Sequence, residues 1–81
     1  MFLNRTSDSR NNICGTKIAE IRKGMKISQR QLADLLSEEG LIVDKNAIQR
    51  IESGQRFVTD IELEYISKTL RVSFNELLGV K

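Results

Sequence analysis

The chain lacks histidine and proline altogether and has a single cysteine, Cys14, among its 81 residues. Without histidine, a zinc site of the usual Cys and His type is excluded, and so is a catalytic Ser, His and Asp constellation. A lone cysteine forms no internal disulfide and suits a reducing interior. There is no glycine-rich phosphate loop, and the acids have ordinary helix-surface spacing, so no catalysis is assigned and no cofactor or metal is expected. No apolar run approaches the roughly 20 residues needed to cross a bilayer, and the opening MFLNRTSDSRNN has no apolar stretch resembling a secretory signal. The expectation is a soluble, non-exported chain without a membrane partner. Asn4, Arg5 and Thr6 match a glycosylation sequon, which is discarded in the absence of such a signal.

What is present is ordinary for one globular domain: 40% apolar and 30% charged residues, in a chain near the size at which a single core begins to suffice. Thirteen basic against eleven acidic side chains leave a net charge of +2, too slight to point to nucleic acid by itself. The distribution says more. Residues 45–56 carry Lys45, Arg50 and Arg56 against Glu52 alone, whereas residues 34–44 hold Asp34, Glu38, Glu39 and Asp44 with no base.

Three capping boxes mark helix starts, each a hydroxyl residue followed three positions on by Glu or Gln: Ser28 with Gln31, Thr59 with Glu62, and Ser73 with Glu76. Asp44 can cap a further segment, KNAIQRIE, and lies favourably at the positive end of its dipole. The first helix begins near Asn12. Gly24, Gly40 and Gly54 are placed as stops for the first three helices. No segment sustains the period-two pattern of a half-buried strand, so the class is all-α with five helices. Helical spacing predicts Ile18, Ile21, Leu32, Ala33, Leu36, Ile48, Ile51, Leu63, Ile66, Leu70, Phe74, Leu77 and Leu78 as inward-facing, with Ile27, Val43, Val58 and Val72 sealing the connections. Residues 1–11 offer little to bury and are expected to form a flexible tail ahead of a domain over residues 12–81. Arg5 and Arg10 leave open a second role for that tail, as a basic arm on phosphate or in the minor groove.

The stretches IAEIRKGMKISQRQLADLL, NAIQRIESGQR and DIELEYISKTLRVSFNELL resemble the Cro and C1 repressor type of helix-turn-helix domain, over about Ile13 to Leu78. The most specific pieces are Ser28-Gln29 before Leu32-Ala33, IESG at Ile51 to Gly54, and the closing L-x-V-S-x-x-E-L-L from Leu70 to Leu78. One departure stands out: the family's tight turn between helices two and three is replaced by SEEGLIV, longer by roughly five residues, or else helix two gains a turn before Gly40.

Helix three, about Lys45 to Ser53, is the candidate recognition helix. Turning Ile48, Ile51 and Ala47 inward leaves Lys45, Asn46, Gln49, Arg50 and Ser53 outside. Arg and Lys suit guanine O6 and N7, and Asn and Gln suit adenine N6 and N7; a merely solvated helix face would carry the same residue types. The resemblance tips the balance, since it implies base contacts at Lys45, Asn46 and Arg50, and at Gln29 a DNA-backbone contact with an amide that can brace the recognition helix. Ser28 and the free N–H groups beside it make an anion site at a helix N-terminus, and Arg30 adds charge there. Gln55 and Arg56 are placed like the family's loop on the other flank of the phosphates, and Arg22 and Glu52 match a pair the family joins between helices one and three. Tyr65 reads as a packed side chain with its hydroxyl at the surface. The implied function is that of a cytoplasmic, nucleoid-associated transcriptional regulator and repressor, partnered by double-stranded DNA. A homodimer is a further expectation, resting on the number of contacts needed and on the apolar C-terminal segment with Phe74, Leu77, Leu78 and Val80. The competing reading is a protein-interaction module such as an antitoxin, favoured by the acidic stretch from Asp34 to Asp44.

Overall fold

Five helices account for all the regular structure in the computed structural model, which describes residues 5–79. They are α1 (Gly15–Gly24), α2 (Gln29–Glu39), α3 (Lys45–Glu52), α4 (Asp60–Leu70) and α5 (Phe74–Leu78). Local chemistry sets most of the boundaries. Ser28 and Thr59 each accept from the N–H three residues on, while Gln31 and Glu62 reach back to the cap's own N–H, completing two capping boxes. Asp44 caps α3 by accepting from Ala47 N at 2.8 Å. At α5 only half the box forms: Ser73 accepts from Glu76 N, but the Glu76 carboxylate takes the Ser73 hydroxyl at 3.5 Å instead of the backbone N–H.

Two boundaries differ from the sequence expectation. Cys14 precedes α1 without a side-chain cap, and its place is taken by Asn12, whose Oδ1 accepts from Gly15 N at 2.8 Å. Gly24 does not stop α1 in a left-handed conformation; that role falls to the exposed Lys26, at φ 60°, after Met25 closes the last turn onto the carbonyls of Ile21 and Arg22. Gly40 and Gly54 do take positive φ, at 112° and 83°. Helix α2 runs on to Glu39, so the lengthened SEEGLIV stretch is split between an extra helical turn and a connection at residues 40–44. Leu41 and Val43 in that connection pack on the core, while Ile42 between them points out.

α3 packs against α1 and α2; α4 lies against α2 and α5, and α5 closes onto α1. Ile18, Leu32, Leu36, Ile48, Ile66 and Leu77 are the largest fully buried side chains. Each contributes about 1.5 to 3 kcal/mol before chain entropy is subtracted. Cys14 joins this core as a small apolar group, and burial pushes its thiol pKa up. Phe74, expected inward, is 48% exposed, because on the single turn and a half of α5 it is Leu77 that meets α1 and α4. Ala47, also expected inward, is only half-buried.

The expected tail over residues 1–11 is docked where the structure describes it; residues 1–4 lie outside the described residues. Thr6 and Asp8 close a turn; Arg10 and Asn12 then bond to the end of α3, and Asn11 to the loop that follows it. The reason is polar satisfaction. The last carbonyls of a helix have no partner within it, and this segment brings the donors. Arg10 Nη2 reaches Glu52 O at 2.8 Å, and Asn12 Nδ2 reaches both Ile51 O at 3.0 Å and Arg56 O at 2.7 Å.

Candidate nucleic-acid interface

α3 is anchored from below by a charged cluster. Arg22 on α1 forms a forked pair with Glu52 at the end of α3, Nε to Oε2 at 2.7 Å and Nη2 to Oε1 at 3.0 Å. Both side chains are nearly out of water, at 10% and 8% exposed. The carboxylate also takes a bond from Gln29 Nε2 at 3.0 Å, and Arg22 Nη1 donates to Ile27 O at 2.9 Å. The fork raises the Arg22 pKa further above its already high ordinary value, so this charge persists at any pH the fold survives. One carboxylate thus ties together α1, α2 and α3, fixing the roll of α3 against its scaffold.

With that roll fixed, Lys45, Asn46, Gln49, Arg50 and Ser53 lie exposed along the outer face of α3. Asn46, Gln49, Arg50, Ser53 and Gln55 together line one surface cleft. The Arg50 Nε rests on Asn46 O at 3.3 Å, a bond at an exposed site that leaves the rest of the guanidinium free to turn outward. Ser53 spends its hydroxyl on Arg50 O at 3.2 Å, which makes it part of the helix ending. Ser28 and Arg30 are exposed at the start of α2, but Ser28 Oγ is engaged as a cap. Gln29 is half-buried and turned to Glu52, so its amide braces α3 from within.

After α3, Gly54 turns the chain at φ 83°, and both Gln55 N and Arg56 N bond back to Arg50 O. Gln55 is exposed, its carbonyl held by Asn11 Nδ2 at 2.9 Å. Arg56 differs most from expectation: its Nη2 pairs with Glu62 Oε2 at 2.9 Å, which neutralises much of the charge foreseen for phosphate. Arg10, foreseen in a basic arm, is turned inward on the end of α3. The acidic residues Asp34, Glu38 and Glu39 are exposed on α2.

Sequence reasoning overlooked two groups at this surface. Asn11 and Asn12 hold the loop after α3 over separations of about forty residues, and no local pattern signals such a contact. Ile42 and Phe57 flank α3 with exposed apolar surface; their place beyond the predicted core list was the available signal.

Residues 18–77 match the helix-turn-helix family model. The chain belongs to the Cro/C1-type helix-turn-helix family. Among solved structures it resembles the restriction-modification controller protein C.AhdI from Aeromonas hydrophila, with a TM-score of 0.68 and 26% sequence identity over 79% of this chain and 86% of that one. No curated protein matches the chain. The family and this neighbour make the chain a DNA-binding transcriptional regulator. No helix among the described residues is long and apolar enough to cross a membrane.

Proposed function

We propose that the protein binds a specific operator in double-stranded DNA and acts as a repressor, with α3 lying in the major groove. The observation that carries this reading is the outward polar face of α3, held in one orientation by the Arg22, Glu52 and Gln29 cluster. A rigidly presented face of amide and guanidinium groups suits base edges, whereas a floppy one would lose affinity to ordering. In this reading Lys45, Asn46, Gln49 and Arg50 specify sequence, and the N–H groups beside Ser28, with Arg30 and Gln55, position the phosphates. Arg56 contributes to phosphate binding only so far as Glu62 releases it. The Aeromonas hydrophila neighbour, similar to this chain in architecture, is named a restriction-modification controller protein, which is in keeping with a regulatory role.

Selection of bound sequences from a random duplex pool, at low and at physiological salt, tests the reading directly. A single enriched site is expected in both arms, with affinity falling linearly on a log–log salt plot. On that site Arg50→Ala should cost about 1 to 3 kcal/mol and relax preference at one position. Unchanged preference would remove Arg50 from the readout.

The working unit in this proposal is a homodimer, through which two copies of α3 reach successive major grooves. Exposed Phe74 on α5 and Ile61 on α4 are available to such a contact; Val80, also invoked from sequence, lies outside the described residues. Light scattering should give the mass of two protomers plus one duplex with a palindromic site, and a single protomer in both free and bound samples would remove the dimer. The second reading, an interaction module such as an antitoxin, draws on the exposed acids of α2. Stoichiometric copurification with a protein, without salt-dependent DNA retention, would favour it.

A further inference from the structure

The polar face of α3 is only one of its flanks. On the other, Ala47 lies one turn before Arg50 on the same side of the helix and lines two adjoining clefts. One, of about 500 Å³, is shared with Arg50, Gln55, Arg56 and Phe57. The next, of about 390 Å³, is shared with Ile42, Val43, Asp44 and Arg56. Because Ala47 and Arg56 line both, the two run together as one groove beside α3. Its apolar lining is open to water: Phe57 is 51% and Ile42 81% exposed. Single exposed apolar residues need no explanation, but these converge on one groove, which does.

Continuity decides the occupant. Arg50 and Gln55 line both this groove and the polar cleft on the opposite flank, so a duplex that meets Arg50 also approaches Ala47. The exposed Arg50 at the groove's edge suits a polyanion, while Arg56 is paired with Glu62 and Asp44 is engaged as the cap of α3. Within the major groove the one apolar group that a base edge offers is the C5-methyl of thymine, and alanine and phenylalanine are suitable partners for it. We infer that the flank formed by Ile42, Ala47 and Phe57 reads thymine C5-methyl groups, which adds an apolar component to operator specificity. This rests on the proposed DNA-reading function and deepens it: the polar face distinguishes donors from acceptors, and the apolar flank favours thymine at adjoining positions.

The duplex, not the protein, supplies the cleanest test. In the selected site each thymine is replaced in turn by deoxyuridine, which lacks only the 5-methyl group. At one or more positions affinity should fall roughly fourfold, the value of one apolar carbon removed from contact. Ala47→Ser should weaken the thymine duplex and lose the distinction between thymine and uracil at its position, and Phe57→Ala should do so at a neighbouring one. If every uracil duplex binds as tightly as its parent while Arg50→Ala still alters preference, the apolar flank does not read thymine and the DNA-reading function stands. If no duplex is enriched at either salt concentration, both fall together. If Phe57→Ala abolishes self-association while uracil has no effect, a second copy of the chain covers the groove and the inference is overturned.

Discussion

Replacing Arg22 with alanine should lower stability by about 3 to 5 kcal/mol, a large share of the 5 to 15 kcal/mol typical of a small domain. The size follows from what is left behind. Glu52 would keep its carboxylate at a site 8% exposed, with the amide of Gln29 as its remaining side-chain donor. Ile27 O would lose its guanidinium partner as well. An uncompensated buried charge is far costlier than the pair is favourable, so the double replacement Arg22→Leu with Glu52→Leu should be less damaging than Arg22→Ala alone. Urea midpoints for the three proteins decide the matter. A single variant as stable as the parent would mean that the fork behaves as a surface ion pair, which typically contributes under about 1 kcal/mol. The same comparison bears on the proposed function, since the double variant, the less destabilised of the two, should fold yet bind operator poorly, α3 having lost the contact that sets its roll.

How much of this could be read beforehand depends on the range of each interaction. Caps are local, and Ser28, Asp44 and Thr59 are where their three-residue spacings put them. Gly40 and Gly54 also declare themselves, because only a residue without a side chain turns so freely at positive φ. Periodicity located most of the core, yet it treats all turns of a helix alike. Phe74 therefore counted as inward although α5 has just enough length to bury Leu77, and Ala47 was turned inward with Ile48 and Ile51 although it lines a groove. The larger misses are tertiary. Glu62 was legible as the far half of a capping box, and its second oxygen was not visible as the partner of Arg56. Asn12 looked like a helix start, which it is, while its amide also holds two carbonyls from the far side of α3. Composition marked residues 1–11 as having little to bury, and the described part of that segment, residues 5–11, has no apolar side chain; it docks through hydrogen bonds, which composition does not count. For the interface the polar face of α3 was accessible from sequence, because its inward positions are strongly apolar. The apolar flank was not, because Ile42 and Phe57 belong to different connections and meet beside α3 only once the chain has folded.

Gly15→Ala and Gly24→Ala, the same substitution at the two ends of α1, should move stability in opposite directions. A Cβ at Gly15 would stand 2.1 Å from the backbone oxygen of Ile51, and 2.7 Å from both Arg10 Nη2 and Asn12 Oδ1. The Arg10 tip can swing aside. The Ile51 carbonyl belongs to α3 and cannot, so α1 and α3 must part by roughly an ångström, stretching the 3.0 Å bond from Asn12 to Ile51 and loosening Ile18 and Ile51 in the core. Over-packing of this kind costs about 3 kcal/mol, near the upper end of its usual range. Around Gly24 a Cβ would meet nothing within 4 Å, and the backbone is already helical with negative φ. Alanine there should stabilise by about 0.5 to 1 kcal/mol, by narrowing the unfolded ensemble and favouring helix. Denaturation of the two variants beside the parent reads both signs at once. A Gly15→Ala protein at or above parental stability would refute the close approach of α1 to α3. Where Gly15→Ala remains folded, operator affinity should fall further than the lost population of native protein accounts for, because the displaced carbonyl is part of the helix proposed to carry Asn46 and Arg50 to the DNA.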